Sequence, residues 1–254
     1  MEGPPRQLGE SSQWEQSSTS LGNPGATAGG APLILWLSPL DERLHRPQWL
    51  HPSERDALET LSSSSPQRSR EVLRSRVLLR RLAARVLGCG PRAVPLRADP
   101  GQPPRLHSLQ GWHLSLSHSR GAALAAMARQ PLGVDLEAGN RPVSPALARR
   151  FFSPREARTL ADLERERGPR WGQRQRLHCW LAKESLCKLL NQPLLPVLKS
   201  WRYDPDRQVL IHGRGQVIPC RIGSEGPWSW GCCAMAPAPV SFWTGAVPEP
   251  PCPA

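Results

Sequence analysis

The chain is poor in several residue types. Of its 33 basic residues only Lys183, Lys188 and Lys199 are lysines; the other thirty are arginines. It has one tyrosine and three phenylalanines, and no ribonucleoprotein motif that would stack bases. No apolar run approaches the ~20 residues of a membrane-spanning helix. The first thirty residues lack the apolar segment of a secretory signal. The seven cysteines are odd in number and contain no C-x-x-C. A disulfide framework or a zinc ribbon is therefore a poor reading, and a reduced, cytoplasmic protein is expected. What the chain does have is a formal charge of +12. That excess suits a polyanionic partner but does not choose among nucleic acid, anionic lipid, a phosphorylated ligand and an acidic protein. The arginine skew is equally what a GC-rich genome would give.

The hydrophobic content of 39% suffices for a core, and 254 residues allow one large domain or two small ones. Residues 1–30 contain six Gly, five Ser and three Pro with no apolar periodicity and read as a disordered extension. Residues 248–254 read as an irregular tail. Between them two subdomains are expected, 31–131 and 132–247. Leu33–Leu37 reads as a buried strand and His51–Leu61 as a short helix. Arg70–Leu87 carries an apolar stripe at helical spacing, stopped by Gly88 and Pro91, and its arginine-rich other face reads as solvated. Strands are expected at His113–Ser117, Ala122–Met127 and Leu132–Glu137. Helices are expected over Ser144–Phe151, from a capping box at Ser153-Pro-Arg-Glu156 to about Arg167, and over Trp171–Leu190. Short β-type runs fill Trp201–Thr244. The mixture indicates an α+β fold.

In so basic a chain the carboxylates are informative. Asp135 and Glu137 sit two apart in Leu132-Gly-Val-Asp-Leu-Glu137 and so share one face of a strand, with Val134 and Leu136 turned to the core. Adjacent carboxylates repel unless a cation or a shared proton compensates; simple hydration on a wet face is the default for the pair alone. Trp180, Glu184 and Lys188 line one side of a helix at i, i+4 and i+8, where Glu184 and Lys188 could equally be an ordinary helix ion pair worth ~0.3–0.5 kcal/mol. Ser117-His118-Ser119 ends a strand and offers donors to an oxyanion. Without a G-x-S-x-G elbow it is not the nucleophile of a serine hydrolase.

Taken in order, Ser117-His118-Ser119, Gly133-Val134-Asp135-Leu136-Glu137, Arg150-Phe151-Phe152-Ser153-Pro-Arg-Glu156 and Trp180-Leu-Ala-Lys183-Glu184-Ser185-Leu-Cys-Lys188 resemble the motif series of the 4'-phosphopantetheinyl transferase superfamily, in its monomeric Sfp-like branch. The motif-bearing region spans 117–188, with weaker similarity back to about Pro52. The resemblance implies two similar α/β subdomains related by a pseudo-twofold, with the active site in the cleft between them. It implies a transferase of the holo-acyl-carrier-protein synthase type. Such an enzyme moves the 4'-phosphopantetheine arm of coenzyme A to a serine of an apo acyl or peptidyl carrier protein, releasing adenosine 3',5'-bisphosphate. By the same resemblance Asp135, Glu137 and Glu184 are ligands of Mg²⁺, with Mn²⁺ an alternative. In that reading Glu184, directly or through a metal-bound water, is the candidate to take the serine proton, and Lys188 is expected to contact the pyrophosphate. Arg55, Arg70, Ser117, His118 and Lys188 are the expected coenzyme A contacts. Lys183 matches the motif but points elsewhere on the helix.

The chain departs from the family pattern in two places. A Gly-Lys-Pro stretch is replaced by Gly101-Gln102-Pro103, and a lysine near Arg55 by Leu58. A monomer in the cytoplasm is expected, without nucleic acid or membrane. The alternatives are a basic nucleic-acid-binding module and a catalytically silent family member that only binds carrier proteins.

Overall fold

The computed structural model describes residues 31–97 and 102–245, so the extension expected over 1–30, the tail 248–254 and Gly101 lie outside the described residues. The fold is mixed α+β. Four layers stack in the order helices, sheet, sheet, helices, and the sequence dictates the stacking through strand alternation. In β1 (Leu33–Pro39) the side chains of Ile34 and Trp36 enter one core while those of Leu33, Leu35 and Leu37 enter another. β5 (Ala122–Ala128) is buried along its whole length. It is covered on both faces, and five of its seven residues are alanine (AALAAMA), which lets the helix approach closely.

The first sheet has the order β11-β1-β5-β4, where β4 is His113–Ser119 and β11 is Val240–Thr244. β11 runs parallel to β1, so the chain returns to the first sheet after building the second. The second sheet has the order β6-β10-β9-β8-β7, where β6 is Leu132–Ala138, β7 Trp201–Asp204, β8 Val209–His212, β9 Val217–Glu225 and β10 Trp228–Ala234. The central core lies between the sheets, with Leu35, Leu124 and Ala126 meeting Val134, Leu136 and Cys232. A two-stranded ladder pairs β2 (Leu96–Arg97) with β3 (Arg105–Leu106). β4 is the free edge of one sheet and β6 that of the other, and these edges lie against each other.

α1 (Pro52–Ser64) and α2 (Pro66–Leu87) cover the first sheet. α1 is held by a reciprocal capping box between His51 and Glu54. The arginine face of α2 is solvated only in part: Arg70 and Arg85 are exposed and Arg74 is half-buried, but two of its arginines are covered. Arg80 and Arg81 are buried because α1, two short 3-10 turns at Glu42–Leu44 and Pro47–Trp49, and the 91–97 segment pack over that side. Arg80 donates to Glu54 at 2.7 Å and to the carbonyls of Val94 and Leu96 at 3.0 and 2.8 Å. The Arg81 guanidinium lies over the Trp49 ring. Arg55 and Arg70 remain exposed.

α3 (Pro145–Phe151), α4 (Pro154–Arg167), α5 (Pro169–Leu190) and α6 (Leu194–Ser200) belong with the second sheet. Ser153 caps α4 by accepting the Glu156 N–H, but the capping box is only half made. The Glu156 side chain turns inward instead, bonding the fully buried Lys183 ammonium and accepting the Tyr203 N–H at 3.1 Å. The larger gain there is that neither buried ion is left unpaired. No helix among the described residues is long and apolar enough to cross a membrane.

Candidate functional site

The site is set by how closely α5 lies on the second sheet. A Cβ on Gly133 of β6 would come within 2.1 Å of the Ser185 carbonyl oxygen and 2.4 Å of the Leu189 nitrogen. On the neighbouring strand β10, a Cβ on Gly231 would come within 2.9 Å of the Leu181 carbonyl oxygen. Two strands thus drop their side chains where the helix crosses them. The helix backbone settles onto the sheet, and the polar groups of α5 reach those of β6.

What they reach is Asp135. Its side chain is buried, and its Oδ1 accepts from Lys188 Nζ and from Ser117 Oγ, both at 2.9 Å. Its Oδ2 is buried with no hydrogen-bond partner among the described residues. Glu184, one helical turn before Lys188, has its pKa pushed up to about 7, first by burial and then by the nearby charge of Asp135; Lys188 and Arg141 offset this in part. A buried carboxylate oxygen without a donor beside a second carboxylate that resists ionising is the environment a small hard cation relieves. These residues therefore fit a divalent ion.

Glu137 stands differently. One of its oxygens is ion-paired to Arg141, and the other accepts from Ser119 Oγ at 3.1 Å. Among the described residues no three of His, Cys, Asp and Glu are gathered as a metal-holding cluster. Asp135 and Glu184 come together, while Glu137 is engaged by its own cation. Arg141 itself lies over the Trp180 ring, 4.7 Å from its centroid. It is one arginine among thirty in a loop, and nothing in the sequence marked it.

Alternation along β4 separates residues that the sequence reading had taken together. Ser117 and Ser119 face β6, whereas His118 points to the α2 side, where Leu114 and Leu116 also lie. His118 Nδ1 is 4.0 Å from Glu71 Oε2. Burial pulls the His118 pKa down; Glu71 opposes that pull, and Lys188 and Arg68 add to it. His118 lines a cavity of about 350 Å³ with Ser65, Gln67, Arg68, Glu71, Ser119 and Arg120. Arg68 and Arg120 supply its positive charge. Arg55 and Arg70 do not line it. Leu58, where the family pattern has a lysine, is buried in the core under α2.

The polar set on β4, β6 and α5 therefore combines a paired and an unpaired carboxylate, a lysine between them, and a basic cavity on the far side of β4. Such a set can hold a cation, neutralise developing negative charge and accept a proton near neutral pH. A model of the 4'-phosphopantetheinyl transferase superfamily matches residues 131–233, the stretch that holds Asp135, Glu184 and Lys188. The chain is 25% identical to the 4'-phosphopantetheinyl transferase psf-1 of Bacillus pumilus, over 67% of this chain and 73% of that protein. It is 30% identical to a 4'-phosphopantetheinyl transferase of Bacillus subtilis, over 58% of this chain and 64% of that one, just under two thirds of its length. It is also 30% identical to slr0495 of Synechocystis sp., provisionally given the same transferase name, over 67% of this chain and 79% of that protein.

Proposed function

Because the chain belongs to the 4'-phosphopantetheinyl transferase superfamily, we propose that it transfers the phosphopantetheine arm of coenzyme A to a serine of an apo acyl or peptidyl carrier protein. In this reading the serine oxygen forms a bond to the β-phosphorus of coenzyme A. The pyrophosphate bridge breaks, adenosine 3',5'-bisphosphate leaves with the bonding pair, and the serine proton passes to a base. Glu184 is that base: it lies one helical turn from Lys188, and without a bound cation burial and Asp135 hold its pKa up to about 7, a value that a bound cation would lower. Lys188 places its charge next to Asp135 and one turn from Glu184, where it meets charge developing on the departing bisphosphate.

Asp135 and Glu184 are the groups that would hold Mg²⁺ or Mn²⁺, with Glu137 a third ligand on displacement of Arg141. When bound, the ion supplies Lewis-acid polarisation of the pyrophosphate. The cavity carrying His118, Arg68 and Arg120 is the place for further phosphate of coenzyme A, since arginine binds two phosphate oxygens at once. Arg55 and Arg70, exposed on α1 and α2, remain proposed contacts for the nucleotide end.

The observation that carries this reading is the unpartnered Asp135 Oδ2 beside a carboxyl that resists ionising, on the strand and helix matched by the family model. A nucleic-acid-binding reading rests on the net charge of +12 alone, and that charge suits the phosphates of coenzyme A and an acidic carrier protein equally well. The test is to mix the protein with coenzyme A, Mg²⁺ and several apo carrier proteins and to read mass spectra. A gain of one phosphopantetheine on a carrier is expected. No gain on any carrier, under conditions where a known transferase works, refutes the activity. Asp135→Ala should abolish the transfer.

A further inference from the structure

The two sheets meet along β4 and β6 without a backbone ladder. β4 pairs with β5 alone, and β6 with β10 alone. The edges are joined instead by three serine hydroxyls on alternate residues of β4. Ser115 Oγ accepts the Val134 N–H at 3.0 Å, Ser117 Oγ donates to Asp135 Oδ1 at 2.9 Å, and Ser119 Oγ donates to Glu137 Oε2 at 3.1 Å. The numbers rise together, so the edges run parallel. Two of the three hydroxyls end on the carboxylates of the candidate site, and the third ends on the backbone one residue before them.

A hydroxyl that fixes one oxygen of a carboxylate fixes the plane of the other. Oδ1 of Asp135 is held from one sheet by Ser117 and from α5 by Lys188, and Oδ2 is left without a donor. We propose that Ser117 and Ser119 are positioning residues. They lock the rotamers of Asp135 and Glu137 from the opposite sheet, so that the geometry of the cation site depends on the first sheet as well as on the strand that carries its ligands. The inference rests on the metal reading of Asp135 above. Ser117 outweighs Ser119, because Asp135 is the buried carboxylate with a free oxygen in the metal reading, whereas Glu137 joins only on displacement of Arg141. Ser115 supplies the control, since its bond spans the same seam but touches no carboxylate.

The probe is Mn²⁺ alone, titrated into the full chain without coenzyme A and followed by the loss of free-ion paramagnetic signal, with a melting curve for each variant. Ser117→Ala should weaken Mn²⁺ binding about ten-fold or more, in the range seen for outer-shell partners of metal ligands, and Ser119→Ala less. Ser115→Ala should lower the melting temperature and leave Mn²⁺ affinity unchanged. Ser117→Cys, which keeps the side-chain size and weakens the donor, should move affinity in the same direction as Ser117→Ala and covers the case in which the alanine variant does not fold. Ser117 variants that bind within about two-fold of the unmodified chain overturn the inference, as does a Ser115→Ala loss as large as that of Ser117→Ala. If the unmodified chain takes up no Mn²⁺, the metal reading fails and this inference falls with it. If it takes up Mn²⁺ and transfers the arm while the variants bind equally well, only the positioning role fails.

Discussion

The two longest helices, α2 and α5, are both 22 residues long, both begin with proline, and both lie across a sheet. Each also buries a basic residue against a glutamate from the first turn of another helix, Arg80 with Glu54 and Lys183 with Glu156. They differ in what lies beneath them. α2 rests on the alanines of β5, so side chains still separate helix from strand. α5 rests on Gly133 and Gly231, where its backbone approaches the strands directly. The first arrangement yields a dry core. The second brings the chain's chemistry-bearing groups together, because Glu184 and Lys188 are short of Asp135 unless the helix comes down that far. A motif glycine can thus be as necessary to a site as its charged residues, without touching a substrate.

The comparison is broken or sharpened most strongly at Glu184. Glu184→Gln should lower carrier-protein transfer by about 10²–10⁴-fold, the usual worth of a general base, in a steady-state assay. The melting temperature should hold or rise, because a repelled carboxylate has been removed. The buried pairs should behave in the opposite way. Glu54→Ala and Glu156→Ala each strand a buried cation and should cost about 3–5 kcal/mol in denaturant unfolding. The activity of the molecules that remain folded should be kept. Equal losses of activity per folded molecule at Glu54 and Glu184 would erase the distinction between the two helices.

Gly133→Ala comes next. The added Cβ overlaps backbone that cannot rotate away, so α5 must lift, at about 1–3 kcal/mol. Transfer should fall further than the stability loss accounts for, read as a drop in kcat at temperatures well below unfolding. The last test is with pH. The folded-state pKa of Glu184 is raised from 4.5 to about 7, so the folded state holds its proton more tightly than the unfolded chain does. That contribution is full below pH 4.5 and is lost as pH rises through about 7. With divalent ions chelated, denaturant stability should fall across that window. Glu184→Gln should flatten the slope.

Much of this was legible in advance. The motif order and spacing singled out Asp135, Glu184 and Lys188, which the fold brings near one another. The sequence pattern located β1, α2, β5, β6 and α5, and the helix start at Ser153 followed from capping chemistry. What was missed follows a pattern. Arg80 and Arg81 read as solvated, because a helix's second face looks polar whether water or another element covers it. Glu156 read as half of a capping box, because its spacing from Ser153 is local and its partner Lys183 is 27 residues away. Ser117 and His118 read as one functional stretch, although alternation along β4 sends them to opposite sides.

The sequence by itself determined the local order: which segments are strands or helices, which residues share a face, and which carboxylates have the spacing for a cation. Those properties depend on neighbours within a turn or two. Only the tertiary structure decided which cation each carboxylate faces, Lys188 for Asp135, Arg141 for Glu137 and Lys183 for Glu156. It also decided that α5 touches bare backbone, and that the seam between the sheets is closed by serines. Electrostatics acts through space, so the same lysine or serine can be a core strut, a counter-ion or a solvated side chain until the chain has folded around it.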